Sequence, residues 1–160
     1  MSVAHDPELR HQVAELYVPL RRFAAVVGPA DCEPDDLVQE AFVRAMRVRP
    51  LHEYDNLGAY LRRVILSLAI NQRRRATIGR RVLDQWRHSR GDSVEPTYPS
   101  DLADLLRLSP DARAVLWLVD VEGLPFREVA AIVDCSEATA RARAVRARRV
   151  LRLALEDGLS

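Results

Sequence analysis

The sequence predicts an all-α protein made of two small helical domains joined by a flexible linker. Three observations point there. Glycine occurs only 6 times in 160 residues, and no run alternates apolar and polar residues with the period of a strand. Apolar residues recur instead every three or four positions through several long stretches, the spacing of one helix face. A segment rich in glycine, serine and proline, R-G-D-S-V-E-P-T-Y-P-S, then breaks the periodicity as a linker would. The domains are therefore placed at residues 1–87 and 100–160, with 88–99 between them.

The first helix opens at Asp6 and Pro7, and Leu9, Val13, Leu16, Tyr17, Leu20 and Ala24 keep its period to about Val27. Pro19 should kink or interrupt it, because proline removes a helix hydrogen bond. Gly28 and Pro29 end it. A second helix over 34–48 buries Leu37, Val38, Ala41, Phe42 and Ala45 and leaves Asp35, Asp36, Gln39, Glu40 and Arg44 mainly outside. Acids in the first turn and arginine in the last complement the helix dipole, which explains the ends better than it explains Gln39 and Glu40. The third helix, 57–75, has the core stripe Leu57, Leu61, Val64, Ile65 and Leu68. Its other side mixes Arg62, Arg63, Ser67, Arg73 and Arg74 with Leu66 and Ile70, a mixture suited to a partner or nucleic acid. Tyr60, at the edge, can stack on an unpaired base or half-fill a core. Beyond Ala76 the period fades, and Arg80, Arg81, Val82, Leu83 and Trp86 extend the helix only briefly.

In the second half, a short helix over 101–108 is followed by one with Ser109 as N-cap and Pro110 in its first turn, where a missing N–H costs nothing. Its apolar face is Ala112, Val115, Leu116 and Val119, and Gly123 ends it. A helix from Phe126 to about Val133, the turn Asp134-Cys135-Ser136 and a helix from Glu137 onward make a helix-turn-helix. Asp134 stands where such turns often use glycine, and aspartate tolerates the left-handed conformation well. Ala140, Ala144, Ala147 and Leu151 form the inward stripe of the last helix. Arg146 and Arg149 fall on its outer side and Arg141 on its flank, where arginines can meet phosphates or base edges.

Net charge is only +1, but its distribution is uneven. Residues 31–40 hold five acids and no base, whereas 57–90 hold nine arginines against the single acid Asp84. One acidic and two basic surfaces imply more than one kind of partner. Cys32 and Cys135 are isolated, and no cysteine or histidine cluster has metal spacing, so reduced thiols, no metal and no cofactor are expected. Without an apolar run resembling a signal peptide or membrane span, the expected location is the cytoplasm. No nucleophile–base pair or phosphate-cradling glycine loop suggests an enzyme.

Both halves resemble one family, the bacterial RNA polymerase sigma factors of the extracytoplasmic-function (ECF) class. V-E-G-L-P-F-R-E-V-A-A-I-V-D-C-S-E-A-T-A-R-A-R-A-V-R-A-R-R is similar to the family's region 4 motif. D-D-L-V-Q-E-A-F-V-R-A and G-A-Y-L-R-R-V-I-L-S-L-A-I-N-Q-R-R-R resemble its region 2. The resemblance implies that Asp36, Gln39 and Glu40 dock on the clamp helices of core RNA polymerase. It implies that Tyr60, Arg62, Arg63, Ser67, Asn71 and Arg74 bind and help open the −10 element of promoter DNA. Ser136, Thr139, Arg141, Arg143, Arg146 and Arg149 would serve the −35 element, and an anti-sigma factor is a further implied partner. Ser67 stands where the family often has asparagine, and Asn71 where it has aspartate. Outward Ala138, Ala142 and Val145 offer only contact to thymine methyls, so phosphate contacts from Arg143, Arg146 and Arg149 should supply much of the affinity.

Two other readings share some of these features. A LuxR-type helix-turn-helix regulator would use the last two helices but gives the segments 35–47 and 58–75 no role. A sigma-like decoy that only binds a regulator protein would fit the substitutions at Ser67 and Asn71.

Overall fold

The computed structural model describes residues 6–87 and 107–158. The expected linker at 88–99 and the short helix expected from 101 lie, except for the last two residues of the latter, outside this range. Among the described residues there are six α-helices: α1 Pro7–Val27, α2 Pro34–Val48, α3 Leu57–Arg87, α4 Pro110–Leu116, α5 Phe126–Val133 and α6 Glu137–Gly158. A 3-10 turn at Leu51–Glu53 joins α2 to α3, and a π turn at Trp117–Val121 extends α4.

The caps lie where local chemistry demands them. Asp6 accepts hydrogen bonds from the backbone N–H of Glu8 (3.0 Å) and Leu9 (3.3 Å), and Pro7 fills the first position of α1. The helix runs on through Pro19 to Val27 without the interruption its sequence predicts. Gly28 closes it with a bond from its N–H to the Ala24 carbonyl at 2.8 Å. A Cβ at Gly28 would lie 2.8 Å from that carbonyl oxygen and 2.9 Å from Leu37 Cδ1, so the lack of a side chain lets α2 approach α1 closely. Asn56 caps α3 through its side-chain oxygen and the Ala59 N–H (2.9 Å).

In the first half, Leu20, Phe23 and Val27 of α1 pack with Leu37, Val38 and Ala41 of α2 and Leu57, Leu61 and Ile65 of α3. Complete burial of each larger side chain contributes about 1.5–3 kcal/mol. Asp35 does not turn outward: it accepts from the Tyr17 hydroxyl and pairs with Arg21 (3.2 Å), stitching α2 to α1. The α3 helix continues well past 75 to Arg87, about 46 Å at 1.5 Å per residue.

The second half does not stand apart. Leu66 and Ala69 of α3 share a continuous core with Ala114, Val115, Leu118, Val129 and Ile132, so α4 and α5 pack directly on the first half. The expectation that Leu66 and Ile70 face outward is thereby corrected, since Leu66 is buried and Ile70 half-buried. The apolar residues among the arginines of α3 meet the chain's own C-terminal half. The expected face of α4 is corrected too: Pro110, Ala114, Val115 and Leu118 are buried, whereas Ala112, Leu116 and Val119 are half-buried. Two causes act together. α4 is packed on both sides, and the π turn after it, marked by the Glu122 N–H bond to the Trp117 carbonyl (3.0 Å), rotates the following residues out of α-helical phase.

Candidate functional site

The helix-turn-helix forms as its sequence predicts. Asp134 ends α5 in the left-handed region (φ 56°, ψ 55°), and the Cys135 N–H bonds back to the Ala130 carbonyl at 3.0 Å. Ser136 then caps α6, accepting from the Thr139 N–H (3.1 Å) and donating to the Thr139 hydroxyl (2.8 Å). Ala140, Ala144 and Ala147 are buried and hold α6 close to its scaffold, while Leu151 is half-buried. The opposite face, Ala138, Arg141, Ala142, Val145, Arg146 and Arg149, is open to solvent. Arg143 and Thr139 are half-buried at its margins. Arg141 lies 4.7 Å from the Phe126 ring centre and pairs with Glu137 at 3.3 Å, which fixes its direction off the flank of α6. Arg148, which the sequence reading passed over, makes a two-pronged contact with Asp120 (2.6 and 3.2 Å) and braces α6 against the π turn.

On α2, Asp36 and Gln39 are exposed, and Glu40 is half-buried beside Arg44, with which it pairs at 2.8 Å. Exposed Val43 and Met46 continue this outer surface toward the end of α2. An acidic beginning and an apolar continuation on one helix side make a docking face for a protein more readily than for nucleic acid.

Along α3, Tyr60, Arg63, Ser67, Asn71 and Arg74 follow one another at three- and four-residue spacing and so share a stripe. Its start borders a groove of about 470 Å³ lined by Arg44, Arg47, Val48, Tyr60, Arg63, Val64 and Ser67. That lining holds three guanidinium groups, a phenol ring and no carboxylate. Arg44 and Arg47 were not singled out from the sequence; their position on the outer side of α2, where its end meets the start of α3, was the available signal. Tyr60 is positioned by Tyr54, whose ring centre is 4.6 Å away and whose hydroxyl donates to the Ala45 carbonyl at 2.9 Å. Burial, and then the neighbouring Tyr60, push the Tyr54 phenol above its ordinary value, so it stays neutral.

Arg62 leaves this stripe. It points to the C-terminal half and pairs with Glu122 at 2.9 Å, with side chains only 12% and 15% exposed. Glu122 also accepts from the Trp117 indole N–H at 3.1 Å. Arg63 reaches Asp134 of the helix-turn-helix turn at 3.5 Å. Arg113, likewise unforeseen, is buried in the seam between the halves and donates to the Val27 carbonyl at 3.3 Å, the negative end of the α1 dipole. Burial, and secondarily Arg73, push its pKa down. The strict helical spacing of the sequence contains no signal for these long-range partners.

Residues 13–79 match the Sigma-70 region 2 family and residues 105–151 match Sigma-70 region 4. Over 142 residues the chain is 36% identical to the ECF RNA polymerase sigma factor SigC of Mycobacterium tuberculosis, covering 81% of this chain and 74% of that one. The chain belongs to the ECF sigma factors. The sigma factor EcfG of Rhodopseudomonas palustris is 30% identical over 152 residues, 89% of this chain and 82% of that relative. Among solved structures, the sigma factor RpoE in complex with the anti-sigma factor NepR from Bartonella quintana superposes with a TM-score of 0.71 at 25% identity, over 94% of this chain and 98% of that one. CnrH in complex with the cytosolic domain of CnrY shares the fold, with a TM-score of 0.56 at 23% identity over 96% and 92% of the two chains. Both halves of this sigma factor are thus accounted for, which a helix-turn-helix regulator of the LuxR type would not provide. No helix among the described residues is long and apolar enough to cross a membrane.

Proposed function

We propose that this sigma factor binds core RNA polymerase through Asp36, Gln39 and Glu40 and guides it to promoters. Residues 1–87 act as the region 2 unit and 100–160 as the region 4 unit, with 88–99 linking them. Tyr60, Arg63, Ser67, Asn71 and Arg74 contact the −10 element, with Arg44 and Arg47 across the groove holding its backbone. Arg62 joins them once it is released from Glu122. The −35 element lies along α6, where Ser136, Thr139 and Arg141 sit toward the helix N-terminus and Arg143, Arg146 and Arg149 meet phosphates. The observation that supports this reading best is the α3 stripe, bordered by a groove that is basic, partly aromatic and free of carboxylates. Single-stranded nucleic acid is bound by this combination of guanidinium groups and a ring on which a base can stack. The chain acts as a cytoplasmic binding protein and not as an enzyme, and an anti-sigma factor is its regulatory partner.

Run-off transcription with core polymerase tests this on promoter-bearing fragments from the source genome. Specific transcripts should appear only when the protein is added, and DNA affinity should fall steeply with salt as phosphate contacts release counterions. Co-elution with core without any transcript would favour the decoy reading, and DNA binding without core binding would favour an independent regulator.

A further inference from the structure

Of the three arginines on the open face of α6, one is held in place and two are not. Arg141 has its guanidinium over the Phe126 ring, 4.7 Å from the ring centre, and donates to Glu137 at 3.3 Å. Phe126 opens α5 and is half-buried against the core, so the ring is anchored by the scaffold and not by α6 itself. Among the described residues, Arg146 and Arg149 meet neither a ring nor a carboxylate. We infer that Phe126 is a positioning residue for promoter recognition, whose ring aims the Arg141 guanidinium at a base edge. The inference rests on the promoter reading above and adds to it which arginine reads sequence and what aims it.

The physical argument concerns direction. An aromatic ring holds a guanidinium through its face, which leaves the N–H donors free at the edge of the guanidinium plane. Glu137 engages one of the five donors, at Nη2. Enough remain for a bidentate contact to guanine O6 and N7, the commonest base-specific contact of arginine. Such a contact needs orientation as well as reach, and a side chain already held in place loses less freedom on binding. A phosphate contact carries no sequence information, and an unheld arginine can follow the backbone to make it. The place along the helix agrees. A recognition helix presents its N-terminal residues to base edges, and Arg141 lies in the second turn of α6, about 12 Å before Arg149 along the axis. Exposed Ala138, one turn earlier on the same side, is too short to compete for the base.

The test selects bound sequences from a library of randomised duplexes, using core polymerase loaded with the full chain. The wild type should show one position with a guanine preference that Arg141→Ala removes. Phe126→Leu should weaken that preference by about two- to fivefold, the worth of an exposed cation–π contact, and at that position alone. Phe126→Tyr should retain it. Because leucine also loses packing, a ring-fluorinated phenylalanine at position 126 decides between aiming and packing. It keeps the shape but withdraws charge from the ring face, and should weaken the preference as leucine does. In an Arg141→Ala background none of these changes at Phe126 should alter base preference further. Equal weakening at every position, or a preference untouched by fluorination, would overturn the inference. A salt slope lowered by about one contact in the Phe126 variants would make Arg141 a phosphate ligand and overturn it too. Specific duplexes enriched with no guanine dependent on Arg141 would sink the inference and leave the promoter reading standing. A wild-type complex that enriches no duplex would remove both.

Discussion

Glu122 and Arg62 should prove unequal partners, and the inequality is measurable. Two unit charges about 4 Å apart attract by about 4 kcal/mol at an effective dielectric near 20, and at 12% and 15% exposure this pair is little screened by water. Replacing Glu122 by alanine strands a guanidinium whose Nε is already buried without a partner, and also takes the acceptor from the Trp117 indole. The expected loss of stability is about 3–5 kcal/mol, the cost of leaving a buried charge alone. Replacing Arg62 by methionine is milder, about 1–2 kcal/mol, because Glu122 keeps its bond from Trp117 and methionine fills the vacated space. The double substitution Arg62→Met with Glu122→Ala should recover most of the larger loss, giving a coupling energy of about 2–4 kcal/mol. Urea unfolding of the wild type, both single variants and the double variant, at one pH and salt concentration, measures all four corners of the cycle. Additivity of the single losses within about 0.5 kcal/mol would refute the reasoning, as would a larger loss for Arg62→Met than for Glu122→Ala.

Three further outcomes follow from the geometry. Gly28→Ala places a methyl group against a backbone carbonyl at 2.8 Å and should destabilise by about 1–3 kcal/mol, with the Leu37 contact yielding first; an unchanged thermal midpoint would contradict the close α1–α2 approach. Ser136→Ala removes the cap bond to the Thr139 N–H and should cost about 0.5–2 kcal/mol, seen as a lower urea midpoint and faster amide exchange in the first turn of α6. Asp35, held below its ordinary pKa first by the Tyr17 hydroxyl and then by Arg21, contributes stability that is present above the unfolded carboxyl value of about 4 and lost as pH falls through the lower folded value. The stability difference between wild type and Asp35→Asn should therefore be constant near neutrality and shrink in acid, and a difference that grows on acidification would reverse the assigned sign.

Much of the local architecture was legible in the sequence because it depends on neighbours in the chain. Asp6, Ser109 and Ser136 cap the helices whose first turns follow them, and Asp134 takes up the left-handed turn. The bounds of α1 and α2 follow from Pro7, Gly28 and Pro34 in the same way. The far end of α3 was less legible, because its apolar residues Ile78, Val82 and Leu83 lie exposed, so no buried face marks the continuation of the helix. Asp35 looked like one more member of an acidic surface until Tyr17 and Arg21, on another helix, were placed beside it. The seam was hidden for a related reason. Leu66 beside arginines reads as a surface awaiting a partner, and nothing in its own helix says that it joins a core shared with the C-terminal half of the same chain. Of the candidate site, the stripes on α3 and α6 could be read from spacing, whereas Arg44 and Arg47 joined the groove only when α2 and α3 were brought together.

The π turn at Trp117–Val121 makes chain length itself a functional variable. Glu122 reaches Arg62 because five residues, not four, separate its N–H from the carbonyl it bonds. Deleting one residue from 118–121 would restore ordinary helical spacing, yet it would swing the Glu122 side chain about 100° around the axis and draw it about 1.5 Å back along it. The carboxylate would then face away from α3 with every contacting residue type still present. The clasp between the halves is thus written in a count as much as in an alphabet. Relatives that differ by one residue in this turn should differ in how their halves meet, even where Arg62 and Glu122 have unchanged counterparts.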